Sequence, residues 1–517
     1  MNIAWQLEAR VDATPNACAI VDDRTERRCT YTDLRDRAAA LAEDLRRAGL
    51  RPGHRVLIAV PMSLDLYIAL IAVWRCGLVA VVPDASTGLA GLNRCIEAVR
   101  PAALIAAQRL AALAFIVPAA RTIRRKFVFG WFPGMGSVGA PSTGSVPVAI
   151  EAREPGDPAL ITFTSGSTGA PKVAVRSHGV LDAQMKAILA NVHLGTTTLE
   201  TMPIVLLANL AAGGTSVIPD VNLRSVGKAD AGALAAAISR HGCTTLIGSP
   251  AVLQRLAEGC DEADTRLNGL NEAYSGGAPV FPVILEAFER VAHRARTHAI
   301  YGSTEAEPIA HIAHLQITPN DIDLMRQGHG LLVGRPDVST DVAVIASQWG
   351  HPLGPLTSAE FAARRVAENV AGEIVVAGAH VLPGYLNGVG DEDTKIHVAD
   401  GVFHRTGDLG RLDAGGRLWL LGRAGAAITD ERGTVYPLAV ECAASFIAGI
   451  RRSALVRSHA SRVLFVEGDG VNVPDLRTRL SWAMIDEVVP IETIPVDRRH
   501  NAKVDYPRLQ LLASRRR

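Results

Sequence analysis

The residues of this chain with the clearest capacity for chemistry lie in the stretch Ile161 to Gly179, ITFTSGSTGAPKVAVRSHG. A β-rich apolar run, Ala159-Leu160-Ile161-Thr162-Phe163, enters a loop of hydroxyls and glycines: Thr164, Ser165, Gly166, Ser167, Thr168 and Gly169, closed by Pro171 and Lys172. The glycines let the backbone turn tightly and bring N–H groups to an anion with no Cβ in the way. The hydroxyls add neutral donors, and Lys172 adds a positive charge on a flexible stem. Such a loop suits a polyphosphate. It is not a Walker A loop, because no Gly-Lys-Ser/Thr follows four residues after a first glycine. A flexible Gly/Ser linker is the bland alternative, but linkers seldom lie between a strand and an ordered apolar segment.

Other polar motifs follow in order. Ser275-Gly276-Gly277-Ala278-Pro279 ends a short strand, and Thr297 to Ile300 leads into Tyr301-Gly302-Ser303-Thr304-Glu305. Thr406-Gly407-Asp408, then Gly422-Arg423, then Lys503 in Arg499-His500-Asn501-Ala502-Lys503 complete the set. Singly each is weak: a Gly-Asp pair is usually a surface turn, an isolated acid is usually solvated, and a lysine near the C-terminal Arg-Arg-Arg is usually just charged surface. Tyr301 offers a flat face to an aromatic ring, or is a core aromatic. A carboxylate such as Asp408 can accept from two vicinal hydroxyls.

The elements that must hold these residues alternate. Asp33 to Ala48 places Leu34, Ala38, Leu41 and Leu45 on one helical face. Arg55 to Val60 reads as a strand, Leu66 to Leu70 as helix and Leu78 to Val82 as strand. The order implies a parallel sheet covered by helices. After the loop come a helix over Val180 to Ala190, a strand over Thr215 to Ile218, a helix over Ala229 to Arg240 and a strand over Thr244 to Ile247. Ser249-Pro250 then opens a helix over Ala251 to Ala257. From Gly372 the pattern shifts to short strands with turns, and beyond Arg423 a small terminal unit has its own rhythm. The expected fold is therefore α/β with a small α+β terminal unit, divided into residues 1–421 and 422–517.

Size and composition agree with an enzyme of more than one domain. The chain has 517 residues, 48% hydrophobic and 20% charged, with 53 Lys and Arg against 52 Asp and Glu. Near neutrality argues against nucleic acid as the main partner, which needs a basic surface. Seven scattered cysteines with no C-x-x-C pair argue against a disulfide framework or structural zinc and point to a reducing cytoplasm. Leu64 to Val82, broken by Arg75 and Gly77, is a buried helix and strand rather than a transmembrane segment. Arg121, Arg124, Arg125 and Lys126 beside Phe129-Gly130-Trp131-Phe132 suit either a solvated rim or a membrane surface.

In this order the motifs resemble the adenylate-forming superfamily of acyl-CoA synthetases, nonribosomal adenylation domains and luciferases. The resemblance covers nearly the whole chain. It implies that ATP and Mg2+ are used to activate a small-molecule acid. Thr164 to Gly169 and Lys172 would cradle the β- and γ-phosphates, with Glu305 and Thr168 at the magnesium. Tyr301 and Gly277-Ala278-Pro279 would form the two walls about adenine, with Gly302, Ser303 and Thr304 also binding the nucleotide. Asp408 and Arg423 would reach the ribose, and Lys503 would be the mobile catalytic lysine. Three departures weigh against the thioester-forming half-reaction: Thr201 to Leu207 lacks the aromatic or His usual near the acyl pocket, Ala424 stands where an acid or Lys usually follows the hinge Arg, and His500-Asn501-Ala502 replaces Ser/Thr-Gly before Lys503. The stretches TSVIPD, IGSPAVLQRL, GRLWLLGR and IPVDRRHNAKVD resemble β-lactone synthetases of bacterial long-chain olefin biosynthesis. That resemblance implies that a β-hydroxy acid's own hydroxyl attacks the acyl-adenylate, with no CoA expected. His178, His380 and His404 are candidates for its base. An acyl-CoA or acyl-AMP ligase is the second expectation, a non-catalytic nucleotide-binding scaffold the third. A freestanding enzyme is expected, with association with other biosynthetic enzymes or a membrane surface left open.

Overall fold

A computed structural model describes residues 1–83, 88–138, 149–165, 171–222, 226–399, 401–497 and 503–515. Two compact units emerge. One comprises Met1–Val221, Ala233–Ile247 and Gly384–Gly390, the other Asn222–Gly232, Gly248–Pro383 and Asp391–Arg517. Residues 422–517, expected to form a small lid, fall with residues 248–383 in the second unit.

The first unit contains a seven-stranded sheet ordered Gly136–Ser137, Arg125–Phe129, Ala103–Ala107, Arg55–Ala59, Val79–Val82, Pro158–Ser165, Pro171–Ser177. Its strands are parallel except for the last pair. Continuous apolar runs such as Val79-Ala80-Val81-Val82 fit such a sheet, because both faces are covered. The helix Leu64–Arg75 is buried almost along its whole length, as its apolar sequence requires. The helix Tyr31–Arg47 buries Leu34, Ala38, Leu41 and Leu45. It begins ahead of the expected Asp33 because the Thr30 side chain accepts from Asp33 N–H while Asp33 reaches back to Thr30, a capping box. A second group of strands runs Thr245–Gly248, Thr197–Glu200, Thr215–Ile218, Cys18–Asp22, Arg27–Thr30. The apolar run from Pro203 forms the helix Pro203–Ala212, which buries Val205, Leu206, Ala208 and Leu210.

In the second unit the strands Asp341–Ile345, Gly372–Ala377, Gly401–Leu412, Leu418–Arg423, Leu331–Pro336, Ala306–Ala313, Arg296–Ser303 and Glu272–Ser275 lie side by side in that order. Only the last pair is parallel. Farther along the chain, Ile450–Ser458, Ser461–Gly468 and Glu487–Pro490 form a three-stranded sheet. Its alternating side chains feed two cores. Leu455, Leu464 and Val466 pack with Val440, Ala443 and Ala444 of the helix Pro437–Ser445. Ala454, Val456, Val463 and Phe465 pack with Leu509 and Ala513 of the helix Tyr506–Ser514, as the period of two demands. None of the seven cysteines is in a disulfide. Among the described residues no helix is long and apolar enough to cross a membrane.

Candidate active site

The second unit gathers three of the expected site motifs around one carboxylate. Antiparallel pairing of Gly401–Leu412 with Leu418–Arg423 sets Asp408 directly opposite Arg423. Arg423 Nε lies 3.4 Å from Asp408 Oδ1, and its Nη1 donates to the Thr406 carbonyl at 3.1 Å. The Tyr301 hydroxyl donates to the other oxygen, Asp408 Oδ2, at 2.9 Å. Burial, then the Asp408 charge, pushes the Tyr301 hydroxyl well above its ordinary pKa, so Tyr301 stays a neutral donor. Asp408 raises the Arg423 guanidinium, and Tyr301, Glu305 and Tyr506 add to the effect. The turn that aims Asp408 has Gly407 at φ 73°, a left-handed conformation that suits glycine, and Thr406 Oγ1 accepts from Asp408 N–H at 3.1 Å.

Tyr301 and Glu305 belong to one hairpin. The strand Arg296–Ser303 extends past the expected Ile300, and Ser303 pairs with Ala306 across a two-residue turn of Thr304 and Glu305. Ser303 Oγ accepts from Glu305 N–H at 3.3 Å, and the Glu305 carbonyl accepts from Leu382 N–H at 2.7 Å. The half-buried Glu305 carboxylate therefore rides on a fixed backbone. Gly277, at φ 82°, turns the chain after Glu272–Ser275, leaving Gly277, Ala278 and Pro279 partly exposed. Gly276 is close-packed: a Cβ there would lie 3.1 Å from the Ile300 carbonyl oxygen.

The hydroxyl loop lies in the first unit. Thr164 pairs with Lys172 and Ser165 with Pro171 in an antiparallel hairpin, so both ends of the loop are anchored on the sheet. Gly166, Ser167, Thr168 and Gly169 lie outside the described residues. Lys172 Nζ sits 5.5 Å from the Tyr385 ring centroid. Lys503 also sits at the base of a hairpin: its N–H donates to Asp497 Oδ1 at 2.9 Å, and its carbonyl accepts from Asp497 N–H at 2.8 Å. Arg499, His500, Asn501 and Ala502 lie outside the described residues.

A family model of AMP-binding enzymes matches residues 7–386. The chain belongs to the AMP-binding enzyme family. It is 30% identical to an olefin beta-lactone synthetase of Stenotrophomonas maltophilia (strain K279a), over 94% of this chain and 91% of the relative. Two solved structures share the fold. The amide bond synthetase McbA of Marinactinospora thermotolerans superposes with TM-score 0.82 at 22% identity, covering 99% of both chains. ATP-bound MatB of Rhodopseudomonas palustris gives 0.80 at 20%, covering 100% of this chain and 99% of that one. The expected membership of the adenylate-forming superfamily thus holds, as does the mixed α/β fold, and this AMP-binding enzyme is an acid-activating ligase.

Residues that the motifs do not mark pack beside them. Arg405, beside the Thr406-Gly407-Asp408 turn, is wholly buried and makes a two-pronged pair with Glu373, at 2.7 and 3.0 Å. Its guanidinium lies 5.4 Å from the Trp349 ring. Trp349 also covers Gly407, where a Cβ would lie 2.9 Å from the ring. Tyr506, three residues past Lys503, donates to both Glu441 oxygens, at 2.7 and 2.9 Å. The available sequence signals were a charged residue inside an otherwise inward-facing strand and a lone acid in the apolar helix PLAVECAAS. The three candidate histidines are buried. His178 Nδ1 accepts from Ile3 N–H at 3.2 Å, and its pKa is lowered to about 4 chiefly by desolvation. His380 Nε2 lies 3.0 Å from the Pro308 carbonyl, and His404 Nδ1 lies 3.2 Å from that of Thr394.

Proposed function

We propose that this enzyme activates a hydrophobic β-hydroxy acid as its acyl-adenylate and closes it to a β-lactone. The observation that carries the reading is the 30% identity to an olefin beta-lactone synthetase along nearly the whole of both chains. The Tyr301–Asp408–Arg423 constellation supports the nucleotide half. Asp408 takes the ribose hydroxyls with Arg423 beside it, and Tyr301 lies against adenine opposite Gly277-Ala278-Pro279. Gly302, Ser303 and Thr304 carry the backbone past the nucleotide. Thr164, Ser165, Gly166, Ser167, Thr168, Gly169 and Lys172 hold the β- and γ-phosphates. Residues 422–517 act as the lid that delivers Lys503.

The substrate carboxylate attacks the α-phosphate of ATP, forming a C–O–P link as pyrophosphate leaves. Lys503 offsets the charge that builds between the two anions. The β-hydroxyl oxygen then attacks the acyl carbon, AMP departs with the anhydride oxygen, and the hydroxyl proton passes to solvent. The nucleophile is tethered, so proximity replaces a second substrate, against the strain of a four-membered ring. Glu305 and Thr168 would hold magnesium, which fits hard oxygen ligands completed by phosphate; among the described residues no group of three or more His, Cys, Asp and Glu gathers to hold a metal unaided. The bound ion would supply positive charge to the triphosphate.

A test incubates the enzyme with ATP, magnesium and a 2-alkyl-3-hydroxy acid, with and without CoA. AMP and lactone formed without CoA support the reading, and a strict CoA requirement with a thioester product overturns it. The second reading is a ligase passing the acyl group to a thiol or amine; the fold shared with an amide bond synthetase favours its amide form.

A further inference from the structure

One surface of the first unit carries apolar and cationic side chains that nucleotide chemistry does not use. The loop Gly130-Trp131-Phe132-Pro133-Gly134 follows the strand Arg125–Phe129, with Gly130 at φ 103° and Gly134 at φ 76°. Trp131 is 70% exposed. Phe132 stacks on Phe115, the ring centroids 5.8 Å apart. Phe115 and its neighbour Ile116, on the short helix Leu113–Ile116, are 40% and 54% exposed. Lys126 Nζ lies 5.6 Å from the Phe115 ring, and Arg121 Nε donates to the Phe115 carbonyl at 2.6 Å. Phe132, Lys126 and Arg121 gather around Phe115, with Trp131 and Ile116 next to them in the chain. Exposed apolar groups gathered in this way mark an interaction site.

The stretch that bears it carries charge of one sign. From Ala98 to Ile150 the chain has no Asp or Glu but contains Arg100, Arg109, Arg121, Arg124, Arg125 and Lys126, in a protein whose acids and bases otherwise balance. Arg121 and Arg124 are exposed. Arg121 and Lys126 donate to backbone carbonyls, so their charge is not cancelled there. Aromatic side chains beside cations match the boundary between acyl chains and anionic headgroups, where amphipathic side chains place apolar bodies inward and charges at the phosphates. A protein partner would instead need a matching acidic face.

We propose that this patch docks the enzyme on an anionic lipid surface. Trp131, Ile116 and Phe115 enter the headgroup boundary while Arg121, Arg124 and Lys126 face lipid phosphates. The inference does not depend on which acid is activated. The test co-sediments the full-length enzyme with vesicles of phosphatidylcholine alone or mixed with phosphatidylglycerol. Binding to the mixed vesicles is expected to be at least about tenfold tighter, since each cation near an anionic surface adds attraction, and to weaken as salt rises. Tryptophan emission shifts to the blue on binding, and Trp131→Ala removes most of that shift. The Arg121→Glu/Arg124→Glu and Trp131→Ala/Ile116→Ala variants lose vesicle binding while keeping wild-type ATP–pyrophosphate exchange, which shows that they fold. Equal binding to both vesicle types, no binding to either, or variants that bind as wild type would each overturn the proposal. So would self-association through the patch without vesicle binding, which would assign it to a protein partner.

Discussion

At the scale of single residues, Asp408 and Glu441 make opposite uses of charge. Asp408 accepts from Tyr301 and pairs with Arg423, so Asp408→Asn keeps the shape and removes the anion. Charged hydrogen bonds contribute about 1.5–3 kcal/mol; the expected result is a roughly 10- to 100-fold higher KM for ATP in pyrophosphate exchange. An unchanged KM would remove Asp408 from the ribose. Lys503→Ala should instead lower the exchange rate, on the order of a hundredfold, with less change in that KM. Glu441 is buried, and desolvation raises its carboxyl from 4.5 to about 7, against the Tyr506 and Leu455 hydrogen bonds. The folded state therefore holds a proton that the unfolded chain releases near 4.5, so stability falls as pH rises from about 4.5 to 7 and levels above. Glu441→Gln should flatten that fall, which is on the order of 2–3 kcal/mol, in denaturant titrations at pH 5 and 8.

At the scale of elements, the strand Gly401–Leu412 reaches its position through groups on both sides of Asp408. The Arg405–Glu373 pair is fully buried, and removing one partner leaves an unmatched charge. Arg405→Ala is therefore expected to cost about 3–5 kcal/mol, read as a lower midpoint in denaturant. Gly407 combines φ 73° with the Trp349 ring. Gly407→Ala should cost roughly 1–3 kcal/mol from strain and overlap together. Trp349→Ala relieves only the overlap, so the double mutant should be less damaged than the sum of the single ones. Strictly additive losses would place the whole cost in the backbone angle. The element types were legible in sequence where apolar spacing was regular, as in Tyr31–Arg47 and Thr215–Ile218. Their ends were not. Thr30 and Ser177 moved two helix starts by capping, and Arg296–Ser303 ran on through YGS because its partner Ala306–Ala313 supplied hydrogen bonds.

At the scale of the whole molecule, a ligand that binds only the folded chain stabilises it by mass action, about 2.7 kcal/mol at a hundred times its Kd. ATP with magnesium should therefore raise the melting temperature of the enzyme, and at the same concentration Asp408→Asn should show a smaller rise in differential scanning fluorimetry. The sequence by itself determined the α/β class, the family and the order of its chemical groups. Those follow from local matters: apolar period, glycine-permitted turns, and residue types suited to phosphate and sugar. It also showed an aromatic and basic stretch near Trp131 without deciding between rim and membrane. Only the tertiary structure decided that Tyr301 donates to Asp408 across 107 positions, that Arg405 is matched by Glu373, and that Tyr506 is held by Glu441. It also decided that His178, His380 and His404 are buried. These pairings join residues far apart in the chain, so no local pattern encodes them; they exist because sheet register and burial bring the partners within reach.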